Sequence, residues 1–274
     1  MSSLLRNSFD GKAVVITGGT KGLGLAIGLA FGAEGASVYL THKWGSADED
    51  AIRARFTEAG AAPPVILEAD AAIDEDTRAL FEKVKADGHD SVEVFVSNVS
   101  FAQVGGGLDK YKKRRLFKSL EYSAWPMVGY VQIVKETFGR YPRYTLGTSC
   151  DGPETYYPGY DYVAVSKTVM ETFCKYMAKH LWEEERARIN ILRSRPVSTE
   201  SLVATFGEEF EPWLKKHWGD DYFVELEAVG EAALCMCSGL MDAMTGQVIL
   251  LDKGVSFQDN MMRMFERRAE VGWE

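Results

Sequence analysis

The stretch Val14-Val15-Ile16-Thr17-Gly18-Gly19-Thr20-Lys21-Gly22-Leu23-Gly24 decides the fold of this 274-residue chain. Its apolar start predicts a short strand, and the helical spacing of Leu23, Ile27, Ala30 and Phe31 predicts a helix directly after it. The glycines between them allow a tight turn and let a pyrophosphate approach the backbone. A helix N-terminus also offers free N–H groups and a positive dipole end. The stretch therefore predicts a dinucleotide site, with a ligand-free structural turn as the alternative.

The rest of the chain alternates between strand-like and helix-like patterns. Such alternation indicates a parallel sheet with helices on both faces. We expect an α/β, Rossmann-type doubly wound fold with a seven-stranded parallel sheet, in a single domain over residues 1–274. Predicted strands cover 13–16, 37–41, 65–68, 92–97, 143–148, 189–192 and 248–251, and predicted helices 22–34, 48–59, 74–87, 119–139 and 162–185.

Two segments depart from this alternation. Residues 199–224 carry many aromatic side chains and are expected to form a mobile substrate loop over the cleft. Residues 255–274 are rich in methionine and form a C-terminal tail.

Composition restricts the partners and the compartment. The chain is 46% hydrophobic and 26% charged, as in ordinary globular proteins, and its net charge of −9 argues against a nucleic-acid partner. No apolar run approaches the ~20 residues that span a bilayer, and the polar N-terminus lacks the core of a signal peptide. We therefore expect a cytoplasmic protein without a membrane partner. The four cysteines form no cluster with histidines, so no metal site is expected.

The glycine spacing resembles that of the short-chain dehydrogenase/reductase family, and the likeness runs from about Lys12 to Gly254. Asp70 follows the third strand, where the family's aspartate meets adenine. Asn98 stands where the family has N-N-A-G, and Thr245-Gly246-Gln247 resembles its closing motif. The resemblance implies a nicotinamide-dependent reductase that assembles as a homotetramer or homodimer. The expected cofactor-binding residues are Gly18, Thr20, Lys21, Gly22, Leu23, Gly24, His42, Lys43, Asp70, Ala71, Asn98, Lys167, Pro196, Val197 and Thr199.

The residues after the second strand bear on which nicotinamide cofactor is used. An NAD enzyme usually has a carboxylate there to bind the ribose hydroxyls. This chain has Thr41-His42-Lys43 and no acid before Asp48. Lys21 and Lys43 could meet a 2′-phosphate by charge, which favours NADPH over NADH. The alternative is that both lysines are solvated surface charges.

A tyrosine and a lysine are the candidate catalytic pair. Hydride reduction leaves negative charge on a substrate oxygen, which a phenol can protonate, and a nearby ammonium favours the phenolate. The family spaces these residues as Y-x-x-x-K, but with Lys167 that spacing reaches Val163. Tyr160 gives Y-x6-K instead, which resembles the divergent branch of enoyl-acyl-carrier-protein reductases. Tyr162 is the alternative acid, and a third possibility is that neither tyrosine is catalytic.

The resemblance implies hydride transfer to a conjugated enoyl thioester, either a small molecule or carrier-bound. Tyr160 would then stabilise the enolate charge on the thioester oxygen. A ketoreductase acting on a polyketide-like or other carbonyl substrate is the first alternative. A non-catalytic dinucleotide-binding protein is the second.

Several positions depart from the family pattern. Cys150 stands seventeen residues before Lys167, where ordinary members carry serine and the enoyl reductases often carry a second tyrosine. The neighbouring Ser149 and Thr148 could supply the missing hydroxyl, and Ser149 is the predicted catalytic residue. Tyr122 or Ser123 occupies the place of an asparagine that belongs to a water relay.

Basic residues give two further hypotheses. Arg193 or Arg195 could bind an acidic substrate group, or Arg195 could be a surface salt-bridge residue. The run 110–115 could dock a carrier protein or coenzyme A phosphates, or it could be a solvated helix face.

Overall fold

The computed structural model describes residues 8–43, 47–101, 103, 105 and 107–272. Within these ranges, seven parallel strands form one sheet in the order β3-β2-β1-β4-β5-β6-β7, which confirms the predicted Rossmann-type architecture. Part of the glycine-rich loop 105–107 and the last two residues of the tail lie outside the described residues. The strands are β1 Ala13–Ile16, β2 Ser37–His42, β3 Val65–Glu68, β4 Val94–Ser97, β5 Tyr144–Ser149, β6 Arg188–Ser194 and β7 Val248–Leu251.

Helices cover both faces of this sheet. The central strand β1 is fully buried and alternates between them: Val14 and Ile16 pack into one apolar layer, and Ala13 and Val15 into the other. The helices are α1 Gly22–Ala33, α2 Glu49–Glu58, α3 Asp74–Ala86, α4 Lys113–Ser123, α5 Trp125–Phe138, α6 Asp161–Glu185, α7 Glu200–Phe206, α8 Phe210–Trp218, α9 Leu226–Met236 and α10 Asn260–Glu266.

The single helix predicted over 119–139 is wrong, because the structure has two helices there. Helix α4 ends at Ser123 and α5 begins at Trp125, with Ala124 between them at φ −116° and ψ −48°. Pro126 lies in the first turn of α5. Proline has no N–H to donate and clashes with the preceding turn of a helix, so it is tolerated at a helix start but not in the interior.

The segment 199–224, expected to be a loop, is mostly helical. It contains α7, α8 and a short 3₁₀ helix, Asp220–Tyr222. A small apolar cluster packs α8 against this 3₁₀ helix through Leu214, Trp218 and Tyr222. We call α7 and α8 the lid, because both contribute side chains to one wall of the cleft.

The turn between β1 and α1 is closely packed. Gly18 and Gly22 have φ of +60° and +53°, in the left-handed region that favours glycine. A Cβ atom on Gly24 would lie 2.5 Å from the Gly18 carbonyl oxygen and 2.6 Å from Nδ2 of Asn98. The first turn of α1 can therefore reach β1 and the end of β4 only without a side chain at this position.

Replacing Gly24 by alanine should therefore destabilise the fold. We expect Gly24→Ala to lower the free energy of unfolding by about 1–3 kcal/mol, the usual cost of overpacking, as measured by urea denaturation. Gly129→Ala in α5 is the matched control. Its Cβ would lie 3.2 Å from Nε1 of the half-exposed Trp125, which can move. A Gly24→Ala protein as stable as the wild type would contradict the packing argument.

Candidate active site

A cavity of about 460 Å³ lies at the carboxyl ends of the central strands. The strand order reverses between β1 and β4, and open α/β sheets bind ligands in the crevice at such a point. The lid closes the other side of the cavity. The predicted cofactor residues that line it are Gly18, Lys21, Gly22, Leu23, Asn98, Lys167, Pro196, Val197 and Thr199.

Asn98 joins three strand ends at the base of the cavity. Its Nδ2 donates to the carbonyl oxygens of Thr17 (3.2 Å) and Gly18 (2.9 Å), and its Oδ1 accepts from Oγ1 of Thr148 at 3.1 Å. The carbonyl oxygen of Thr148 in turn accepts from Nζ of Lys167 at 2.8 Å. Asn98 therefore connects the glycine turn to the predicted catalytic lysine, a structural role that its sequence position alone did not indicate.

Lys167 lies on α6 and is buried. Removal from water lowers the pKa of its ammonium group, although the charges of Cys150 and Glu171 oppose this effect. A buried lysine that lines the same cavity as Tyr160 is in a position to act on a substrate or cofactor there.

Tyr160 lies immediately before α6, and its hydroxyl donates to Sγ of Cys150 at 3.6 Å. Burial, followed by the interaction with Cys150, raises the pKa of the phenol above its ordinary value, which favours the protonated form. Phe206 of the lid stacks on the Tyr160 ring, with centroids 5.9 Å apart. Both Tyr160 and Cys150 line the cavity.

The alternative acid, Tyr162, has other partners. Its hydroxyl oxygen accepts from the backbone N–H of Lys112 at 2.6 Å and approaches the Lys112 carbonyl oxygen at 3.4 Å. This hydroxyl ties the start of α6 to the segment before α4. Tyr162 is not among the residues that line the cavity.

Ser149 lines the cavity and connects it to a buried charged network behind the wall. Its hydroxyl donates to Oε1 of Glu171 at 2.6 Å, and Arg193 holds both oxygens of the same carboxylate at 3.1 and 2.6 Å. The third nitrogen of Arg193 pairs with Glu154 at 2.8 Å. The catalytic role of Ser149 stays a prediction, and the present geometry gives its hydroxyl a different partner. Two carboxylates neutralise Arg193, which argues against its expected contact with an acidic substrate group.

A second polar cluster lies at the ends of β2 and β3. Lys43 forms an ion pair with Asp70, and its Nζ donates to the Tyr122 hydroxyl at 2.7 Å. That hydroxyl donates to Oδ2 of Asp70 at 3.1 Å. Burial alone would raise the pKa of Asp70, but bonds from Lys43 and from the N–H of Ala72 outweigh it and lower the pKa. Tyr122, at the position expected for the relay asparagine, therefore belongs to this cluster.

The other relay candidate, Ser123, has a different role. Its Oγ accepts from the backbone N–H of Phe101 at 2.9 Å and lies 3.3 Å from Oγ of Ser100. Ser123 thus holds the segment that follows β4.

The residues present fit a dinucleotide. Gly18 in the turn and Gly22 and Leu23 at the N-terminus of α1 line the cavity, so a phosphate bound there would lie near the free N–H groups of the first helical turn. At the β2 end, Nδ1 of His42 is buried without a hydrogen-bond partner among the described residues. Six predicted cofactor residues do not line the cavity. At or just after the ends of β2 and β3 lie His42, Lys43, Asp70 and Ala71, and in the turn and the start of α1 lie Thr20 and Gly24.

Lys21 connects the cofactor turn to the lid. Its ammonium pairs with Glu200 in the first turn of α7 at 2.9 Å, and both side chains are largely exposed. Thr199 caps α7 by accepting from the backbone N–H of Leu202 at 3.1 Å. The sequence showed no sign of the partnership between Lys21 and Glu200.

Comparison with known proteins identifies the family to which the chain belongs. Residues 18–256 match the family described as enoyl-(acyl carrier protein) reductase. The chain belongs to this family. It is a distant member of the enoyl reductase branch of the short-chain dehydrogenase/reductase superfamily, and thus an oxidoreductase of the type that uses a nicotinamide dinucleotide.

Its relatives are similar only at low identity. The enoyl-[acyl-carrier-protein] reductase [NADH] of Aquifex aeolicus is 23% identical over 96% of both chains. The Escherichia coli protein of the same name is 27% identical over 90% of this chain and 95% of its own. The crystal structure of the Aquifex protein superposes with a TM-score of 0.78 at 21% identity, covering 92% of this chain and 99% of that one, which shows the shared fold.

None of the helices in the described ranges has both the length and the apolar character needed to cross a membrane.

The buried network behind the cavity should contribute strongly to stability. Arg193→Met would leave the Glu171 carboxylate without its cationic partner, and breaking a buried pair in this way costs about 3–5 kcal/mol. We expect a corresponding loss in the free energy of unfolding measured by chemical denaturation. Lys179→Met, which breaks an exposed pair with Glu183 on the same helix, should cause no measurable change. Equal stability of the two variants would refute this interpretation.

Proposed function

We propose that this protein is an NADPH-dependent enoyl-thioester reductase. The observation that carries the proposal is that Tyr160, at the Y-x6-K spacing, lines the same cavity as the buried Lys167, while valine stands at the ordinary tyrosine position. Membership of the enoyl reductase family supports the same reaction. The substrate would be a conjugated acyl thioester, free or carrier-bound, and the enzyme a cytoplasmic homotetramer or homodimer.

The chain's own groups would bind the reactants and stabilise the charge that develops. The bound cofactor would supply a hydride. The Tyr160 hydroxyl, which burial keeps protonated, would donate a hydrogen bond to the thioester oxygen as that oxygen gains charge. The Lys167 ammonium, held by the Thr148 carbonyl, would bind the nicotinamide ribose and supply positive charge. Phe206 and Phe210 of the lid stack at 4.7 Å and would exclude water from the cavity.

The proposed reaction is tested by NADPH oxidation with a crotonyl thioester and, in parallel, an acetoacetyl thioester. We expect faster turnover of the crotonyl compound. Tyr160→Phe should lower kcat by roughly 100- to 1000-fold, the usual loss when one oxyanion donor is removed, without changing cofactor affinity. Tyr162→Phe is the matched control and should retain activity within a few-fold.

The other outcomes decide between the alternatives. Preference for the acetoacetyl compound would make the protein a ketoreductase. Tight NADPH binding without turnover of either compound would indicate a non-catalytic dinucleotide-binding protein. Full activity of Tyr160→Phe would remove the proposed acid.

The choice of NADPH is the finer part of the proposal. The two curated relatives described above carry NADH in their names, so it is this chain's own residues that support the phosphorylated cofactor. Strand β2 ends in His42 and is followed by Lys43, and the segment after β2 has no acid before Asp48; the carboxylate that Lys43 meets, Asp70, comes from the end of β3. The exposed ammonium of Lys21 lies at the start of α1, beside the cofactor turn.

The double substitution Lys21→Ala and Lys43→Ala should therefore weaken NADPH binding much more than NADH binding. Because hydrogen bonds to charged groups contribute about 1.5–3 kcal/mol, we expect a loss of roughly ten- to hundred-fold in NADPH affinity, measured by cofactor fluorescence. Lys179→Ala, remote from the cavity on α6, is the control. Tighter binding of NADH than NADPH by the wild type would contradict the proposed preference.

A further inference from the structure

An ion pair lies in the wall of the cavity beside Tyr160. Nη1 of Arg195, just after β6, approaches Oδ2 of Asp151, just after β5, at 2.8 Å. The Tyr157 hydroxyl donates to the same carboxylate oxygen at 2.5 Å, and the Arg195 guanidinium also bonds Oγ1 of Thr155 at 3.3 Å and interacts with the Tyr222 hydroxyl. The side chains of Arg195 and Asp151 are only 12% and 11% exposed. Arg195, Asp151, Tyr157 and Tyr222 all line the cavity, and we call them the polar quartet.

The lid forms the neighbouring part of the wall. It contributes the apolar Leu202, Phe206, Phe210 and Leu214 beside the polar Glu200, Ser201 and Thr205, and the Phe206 ring lies 5.7 Å from the Tyr157 ring. A buried ion pair loses much of its attraction to desolvation, and a well-packed apolar pair in its place is often as stable or more stable. Stability alone therefore gives little reason for charges in the wall of a cavity built to hold an apolar chain. Ligand cavities are mostly apolar, with a few placed polar groups that fix the orientation and identity of the ligand.

The charges of the polar quartet cancel. Asp151 neutralises Arg195, so a substrate carboxylate entering here would gain the guanidinium but meet the Asp151 carboxylate as well. This argues against the acidic substrate group expected at Arg195, and the surface salt bridge expected as its alternative lies instead in the cavity wall. A neutral group with a dipole, such as a hydroxyl, carbonyl or amide, can bond the arginine and tyrosine donors or the carboxylate acceptor without repulsion.

We propose that the polar quartet is a specificity site for an acyl substrate that carries a neutral hydrogen-bonding group on its chain. The rings of Tyr157 and Tyr160 lie 5.7 Å apart and both residues line the cavity, so the quartet adjoins the proposed acid. The inference rests on the proposed function, because it places the reacting thioester oxygen at Tyr160. A guanidinium has five N–H donors, and those of Arg195 that do not bond Asp151, Thr155 or Tyr222 gain a partner from such a hydrogen-bonding group but none from a plain alkyl chain.

Binding to the protein saturated with NADP⁺ tests the proposal without turnover. The probes are saturated six-carbon acyl thioesters of pantetheine. One is unsubstituted, one carries a terminal carboxylate, and a series of others each carry one hydroxyl at a different position along the chain. We expect one hydroxylated compound to bind at least about ten-fold more tightly than the unsubstituted one, as one satisfied buried hydrogen bond allows. The carboxylate should gain no such advantage.

Variants locate the effect. Asp151→Leu combined with Arg195→Met replaces the ion pair with an apolar pair and should abolish the preference for the hydroxylated compound. Glu154→Gln, in the same turn but paired with Arg193, is the matched control and should retain it. Should the double variant fail to fold, Tyr157→Phe removes one hydroxyl and should reduce the preference. Equal or tighter binding of the unsubstituted thioester by the wild type, or a preference that survives these changes, would overturn the proposal.

Turnover of the matching unsaturated thioesters separates this inference from the proposed function. Selective binding of the hydroxylated chain without NADPH oxidation on any enoyl compound would refute the reductase and leave the polar site standing. Efficient reduction of enoyl thioesters with no selectivity for the hydroxyl would support the reductase and refute the polar specificity site.

Discussion

The close approach of the first turn of α1 to the end of β4, through Gly24 and Asn98, is the constraint on which the rest of the site depends. The Asn98 amide bonds two carbonyl oxygens of the glycine turn and accepts from Thr148 on β5. One side chain thereby fixes the relative positions of β1, β4 and β5 at the edge where a cofactor would lie. Lys167 donates to the carbonyl oxygen of Thr148, the same residue that bonds Asn98. Its amine is therefore positioned relative to the glycine turn, although Lys167 and Gly24 lie 143 positions apart in the sequence.

The fold could be predicted because its signals are local. Each parallel strand is a short run of apolar residues, and the observed strands differ from the predicted bounds by two residues or fewer. The helix predicted over 119–139 was wrong because the apolar spacing continues past Pro126, although this proline lies in the first turn of a new helix. The helices of the lid were missed because their aromatic residues pack against each other and against residue 255, and such contacts leave no regular spacing in the sequence.

The site was predictable only as far as motifs reach. The positions of Tyr160, Lys167 and Asn98 follow from spacing, and the structure brings all three to one cavity. The partners of the charged residues could not be predicted, because they come from distant segments. Glu171 on α6, for example, pairs with Arg193 on β6. The one available signal for Glu171 was its place four residues after Lys167, on the same face of a helix whose other buried positions are mostly apolar.

The proposed acid, Tyr160, caps the start of α6, whereas the proposed lysine, Lys167, lies inside that helix. At the Y-x-x-x-K spacing, helix geometry alone would fix the tyrosine relative to the lysine one turn away. Tyr160 is instead set by what surrounds its ring: Cys150, the Phe206 ring and the close backbone of Gly152, where a Cβ would lie 3.0 Å from the tyrosine ring. The backbone of Tyr160 is held at the start of its helix, but its ring is held by neighbours from the lid and from the turn after β5. Substitutions in either segment would therefore act on the phenol without altering the bond between Lys167 and Thr148, so the two side chains can diverge independently in related proteins.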